Sequence, residues 1–403
     1  MKKTEGGVCA PIGFKANGVH CGIRKNKTKR DLSLIVSDVR CAAACVYTQN
    51  LVKGAPIAVT KSHVADGYAQ AIVCNSGNAN TCNANGIEIA EGMCSLVSEK
   101  TGIPAADVVV ASTGVIGQPL SLEPIAAGMD ELVRGLGDNS LYAAQGIMTT
   151  DTVDKQIAYT FTLGGKECRI GAIGKGVGMI NPNMATMLIF ITTDVSISPA
   201  MLQKALSADV KDSFNMVSVD GDTSTNDMVC VLANGLAGND TIEENGKDFV
   251  TFRKALNKVT TNLCRRIAKD GEGATKLLEC KVVGAKSKSA AKLIAKSVIK
   301  SSLFKAAMFG ADANWGRVLC AIGYAGADAD IHKIDVDFKS REGTLAVCRG
   351  GSGIPFSEEE AKRILSQDEI EILINMNDRG GKATAWGCDL TYDYVKINGD
   401  YRT

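Results

Sequence analysis

Gly174 to Asp194 reads GKGVGMINPNMATMLIFITTD. Met187 to Ile191 is a short apolar run of β-preferring side chains bounded by turn residues, the pattern of a strand buried on both faces. Asn181, Pro182 and Asn183 before it favour a turn, and Gly174, Gly176 and Gly178 let backbone come close to another group. Thr186 is therefore expected where a loop enters the core, its hydroxyl held on a rigid edge. A surface loop feeding a core strand, with threonine chosen for β propensity, explains the same residues taken alone.

Working outward, the flanks alternate strands with helices. Leu32 to Ser37, Cys41 to Thr48, Ala69 to Cys74 and Asp107 to Ala111 read as strands, as does Val8 to Phe14. Helical periodicity is expected from Ile87 to Lys100, from Ser198-Pro199 to about Phe214, with serine capping, and over Lys247 to Lys269. Ser357 and Glu360 form a capping box opening a helix to Leu365. This succession argues an α/β protein.

Composition narrows the function classes. The 403 residues carry 45 basic and 44 acidic side chains, so no global charge points to nucleic acid or a membrane surface. No apolar core follows Lys2 and Lys3, and no run approaches the about 18 apolar residues of a spanning helix, so a soluble, cytoplasmic protein is expected. The 14 cysteines are scattered without a CxxC, the tightest pair being Cys41 and Cys45, which fits buried thiols in a reduced compartment rather than a disulfide framework or zinc site. GAIGKGVG has neither the P-loop order nor GxGxxG spacing. SVDGDTSTND, Ser218 to Asp227, lacks the calcium-loop pattern and reads as a tight loop capped by its own Asp and Thr side chains, so no metal is expected.

Only three histidines are present, His20, His63 and His332, none beside a Ser or Cys motif, so a histidine-based triad is not expected. A threonine hydroxyl is a weak nucleophile without an adjacent base, and a threonine at a free amino terminus carries one in its α-amine, whose reference pKa is about 8.

Met184, Ala185 and Thr186 are similar to the autoprocessing signature of the ornithine acetyltransferase, or arginine-pathway glutamate N-acetyltransferase, family. The resemblance extends from GGVCAPIGF near the start through STG at Ser112 to Gly114, GEGATK at Gly271 to Lys276 and FGADANWGR at Phe309 to Arg317, to the last residue. Val177 and Asn181 depart from what related sequences often carry, without removing a proposed catalytic group.

The resemblance implies a stacked αββα sandwich with an additional α/β domain. It implies cleavage between Ala185 and Thr186, giving an α chain of residues 1 to 185 and a β chain of 186 to 403 that both contribute to the core, as two copies of each. Thr186 would be the nucleophile, and the Thr113 hydroxyl with the Gly114 N–H the oxyanion hole. Thr152, Lys175, Glu272, Asn398 and Thr403 would bind substrate, with Lys175 on an anionic part and Glu272 on a cationic amine. Asp312, Asn314 and Arg317 would brace the site. The implied reaction is ping-pong acetyl transfer from N-acetylornithine to glutamate without a cofactor, leaving open whether acetyl-CoA is a second donor. Two other classes fit the residues: a self-processing amidase or aminopeptidase, and an uncleaved small-anion binding protein.

Without the resemblance, several of these positions read plainly. Glu272 would be an exposed turn residue, Thr152 a helix cap, and STG a strand-to-helix turn. Lys288, Lys292, Lys296 and Lys300, four residues apart, would form a solvated helix face that could attract phosphate, with Leu293, Ile294 and Ile299 turned inward.

Overall fold

The strand Leu188–Thr193 is buried at every residue because it lies inside a four-layer stack, and its period of two divides its side chains between two cores. The computed structural model describes residues 1–179 and 187–400. Leu188 and Phe190 face an inner cluster, whereas Ile189 and Ile191 face a helical one. The parallel neighbour Met228–Ala233 divides in the same way, Met228, Cys230 and Leu232 inward and Val229 and Val231 outward.

Across the inner cluster stand Tyr68–Asn78 and Val108–Val115, also parallel to each other; Ile72, Cys74, Val109 and Ala111 point in, and Ala71, Val73, Val108 and Val110 point out. Helices Gly86–Thr101 and Glu123–Arg134 cover that outer face. Pro199–Asp209 and Lys247–Lys269 cover the other. The expected αββα sandwich is present.

One strand links the layers. Leu32–Tyr47 pairs through its first half with Phe14–Val19 and Tyr68–Asn78, then, after an irregularity between Val36 and Cys41, through its second half with Met228–Ala233. The expected separate strands at 32 to 37 and 41 to 48 are thus one bent strand. On the far side of Leu188–Thr193, antiparallel pairing continues through Lys166–Lys175 and Lys155–Leu163 to Lys2–Thr4.

The additional α/β domain is a second sheet of seven strands among the described residues, with Leu277–Ala285 between parallel Glu369–Asn375 and antiparallel Gly381–Cys388. Its core is continuous with the helical face of the sandwich through Lys247–Lys269.

Several local expectations change. Val8 to Phe14 is not a strand: Gly6 and Gly7 adopt positive φ and lead into a short 3-10 turn, and the strand starts only at Phe14. The Ser198-capped helix ends at Asp209, where the Ser213 hydroxyl donates to both the backbone carbonyl and the carboxylate of Asp209 and the chain turns. On the lysine-rich helix Lys288–Lys300, Ile294 and Ile299 face inward but Leu293 is exposed. Lys296 is not simply solvated there, since burial, helped by the nearby charge of Lys300, brings it down to about 8.

Candidate active site

Lys175 ends its strand inside the sandwich, 2% exposed, because Lys166–Lys175 pairs with Leu188–Thr193 in a register that sets Lys175 opposite Leu188. Its Nζ donates to the Thr113 Oγ1 at 3.2 Å, tying together strands from the two sandwich layers. With its oxygen occupied as acceptor, the Thr113 O–H is left to donate into the adjoining cavity of about 300 Å³.

Val108–Val115 does not stop at Ser112 as expected. It stays paired through Thr113 and Gly114, and the irregularity lies opposite, at Gly77 and Asn78. Gly114 has φ +136°, and a Cβ there would sit 2.3 Å from the Gly77 carbonyl carbon, so the tight approach of the two strands requires glycine.

Glu272 enters from the turn after Lys247–Lys269, its N–H donating to the Val177 carbonyl at 2.8 Å. Its carboxylate accepts from Thr150 Oγ1 at 2.6 Å and from Asn398 Nδ2 at 2.9 Å. Gly178 lets it come close, since a Cβ at that position would lie 2.4 Å from the Glu272 Oε2 and displace the carboxylate. Thr113, Gly114, Lys175, Glu272 and Asn398 therefore line one cavity although 285 positions separate the first from the last. Ala185, Thr186 and Thr403 lie outside the described residues.

Thr152 does not line this cavity. Its N–H and hydroxyl both donate to Asp270, and the threonines of that segment that line the cavity are Thr149 and Thr150. Asp312, Asn314 and Arg317 do not reach it either. Asn314 caps the helix Trp315–Gly323 and donates to Asp312 at 3.0 Å, and Arg317 donates to the Leu303 carbonyl at 2.7 Å, so they brace their own turn. None of the histidines is in the lining.

Three features were not legible beforehand. First, the 218 to 227 loop supplies Ser224, Thr225 and Asn226 to the wall. Asn226 locks it there, donating to the carbonyls of Ala79 and Ser112 and accepting from Thr81 and Thr225. Second, Asp227 is fully buried and accepts from the N–H of Met187, where the described chain resumes, at 3.0 Å. Burial drives its carboxyl well above the usual range against the pull of the Met187 N–H and Lys175.

Third, a buried charge cluster supports Lys175. Lys155 Nζ bridges Asp151 at 2.7 Å and Asp270 at 2.5 Å, and Asp151 also accepts from the Gly176 N–H at 3.1 Å. Burial alone would raise Asp151, but the charges of Lys155 and Lys175 outweigh it and hold the carboxyl at about 2. Burial lowers Lys175, opposed by Asp151 and reinforced by Lys155.

A carboxyl held below its ordinary 3.8 stabilises the fold above that value and loses the contribution as pH falls toward about 2. Lys155→Met should cost about 3–5 kcal/mol at neutral pH, because it strands two buried carboxylates. Urea melts at pH 7 and in acid check this, the variant losing less further stability below pH 4 than the native protein.

A threonine hydroxyl accepting from a buried lysine, in one small cavity with a carboxylate and between the two strand layers of an αββα sandwich, marks the candidate active site of an enzyme acting on a small molecule. The comparison with known proteins is more specific: the chain belongs to the ArgJ family, whose profile matches residues 15–403. It is 50% identical over 392 residues to the arginine biosynthesis bifunctional protein ArgJ 1 of Clostridium acetobutylicum, covering 97% of this chain and 96% of that one. It is 49% identical to ArgJ of Symbiobacterium thermophilum over the whole of both chains. The crystal structure of the arginine biosynthesis bifunctional protein ArgJ of Bacillus halodurans superposes with a TM-score of 0.50 at 46% identity, over 53% of this chain and 98% of that one.

Proposed function

We propose that this protein transfers the acetyl group of N-acetylornithine to glutamate, in a cytoplasmic arginine pathway, through an acetyl ester on Thr186. What carries the reading is one cavity that pairs an anion-binding Lys175, hydrogen-bonded to Thr113, with the carboxylate of Glu272. The two substrates share an α-amino-acid end and differ in side-chain charge, so a site for both needs fixed charges of each sign.

Cleavage between Ala185 and Thr186 frees the α-amine of Thr186, which takes the proton of its own hydroxyl as that oxygen attacks the acetyl carbonyl. Thr113 O–H and Gly114 N–H donate to the oxyanion. Collapse breaks the C–N bond, the α-amine returns its proton to the leaving nitrogen, and ornithine departs. Glutamate's neutral amino group then attacks the ester and the same proton transfers run in reverse, restoring Thr186 and releasing N-acetylglutamate. Residues 1 to 185 and 186 to 403 act as α and β chains, assembled as two copies of each. A relative solved as a chain of about half this length fits a protein that works in two pieces. The chemistry needs no resident cofactor. Relatives named bifunctional support acetyl-CoA as a second acetyl donor to the same threonine.

Initial rates at several concentrations of both substrates should give parallel double-reciprocal lines, with an acetylated 186 to 403 fragment trapped when glutamate is withheld. Intersecting lines with no acetylated fragment would overturn the mechanism; equal acetate release with and without glutamate would make the protein an amidase. Glu272→Gln should lower kcat/KM for N-acetylornithine by about 10- to 100-fold, the loss expected when a paired charge is removed. Glutamate, which offers no side-chain cation to that carboxylate, should be affected less.

A further inference from the structure

A cleft of about 1260 Å³ lies between the helix Lys247–Lys269, the start of the helix Lys288–Lys300 and the segment 379–384, and shares no lining residue with the catalytic cavity. Eight basic side chains and only two carboxylates line it, in a chain whose charges otherwise nearly cancel. Some of that charge is answered: Lys288 and Lys292 pair with Asp212, Lys281 with Glu371 and Lys286 with Asp328. The other carboxylate, Asp209, is buried behind the lining and accepts from Asn257 at 2.8 Å and from the Ser213 hydroxyl at 2.9 Å, so it pairs with none of the cleft's cations.

Arg253, Lys254, Arg379 and Lys382 are left without an acidic partner among the described residues, all four exposed and drawn from two facing walls. Like charges gathered across a concave surface repel one another and raise its affinity for anions. Met216, Val282 and Trp386 give the cleft an apolar floor.

We propose that this cleft binds a small molecule carrying two or more phosphate groups. Four facing cations suit clustered phosphate charge better than a single carboxylate, and arginine is the side chain that grips phosphate oxygens in pairs. The cations line a pocket rather than a ridge, and the one aromatic in the lining, Trp386, is 4% exposed and offers no stacking platform for a nucleic-acid strand.

Calorimetric titration of the full-length protein with sodium tripolyphosphate tests this directly, without reference to acetyl transfer. The expected result is one site per 403-residue polypeptide, whether or not that polypeptide is cleaved, weakened by added salt. Arg253→Glu and Arg379→Glu should each weaken binding at least about tenfold, or 1.4 kcal/mol, while Lys362→Glu, the same charge change on an exposed helix outside the cleft, should have little effect. All three positions are exposed, so folding should survive, and thermal melts verify it. No binding, an equal loss from Lys362→Glu, or equal affinity for citrate would overturn the proposal.

Discussion

Thr186→Ala should leave a single uncut chain of 42.3 kDa and reduce acetyl transfer by on the order of a millionfold in kcat, the scale seen when a covalent nucleophile is removed. Intact-mass spectra of native and variant protein give the first result, and N-acetylglutamate formation the second. Thr186→Ser should still cleave and retain transfer, since serine keeps both hydroxyl and α-amine. An uncut native chain would remove the only base that the mechanism assigns to this hydroxyl and leave the anion-binding reading. A cut but active Thr186→Ala protein would move the nucleophile elsewhere.

The second large effect is expected at Lys175. Lys175→Met removes the donor to Thr113 and the cation proposed to meet the substrate's anionic group, and should cost about 10²- to 10³-fold in kcat, comparable to losing one oxyanion donor. Stability should move the other way. A lysine whose pKa is lowered by burial makes the native protein less stable wherever the folded state holds that charge at a cost. The penalty is complete below the lowered pKa and fades as pH rises to the ordinary 10.5. Lys175→Met should therefore melt at or above the native temperature at pH 7, with the difference closing toward pH 10.5. A variant both inactive and strongly destabilised at pH 7 would mean that Lys175 is a structural cation, and the catalytic assignment would fall.

Elements whose cause is local were legible in the chain. The run beginning at Met187 reads as a buried strand because every residue is apolar, and Lys247–Lys269 reads to the residue because a long amphipathic period runs into Asp270-Gly271. The site residues recognised by kinship converge on the cavity at Thr113, Gly114, Lys175, Glu272 and Asn398. Neighbouring threonines such as Thr149, Thr150 and Thr152 cannot be told apart by position in a string of letters. Which of them faces the cavity depends on Asp270, 118 positions away, accepting the Thr152 hydroxyl.

Strand and helix periodicity, which is carried locally, determined the α/β class from sequence by itself, whereas Thr186 as candidate nucleophile rests on the resemblance of Met184, Ala185 and Thr186 to the family's signature. Tertiary structure alone decided that one bent strand joins the two sandwich layers, that Lys155 is held between Asp151 and Asp270, and that Asp227 meets Met187. The reason is burial. A carboxylate or ammonium looks the same in any stretch of chain, and its charge state and partners are set only when distant segments close over it and exclude water.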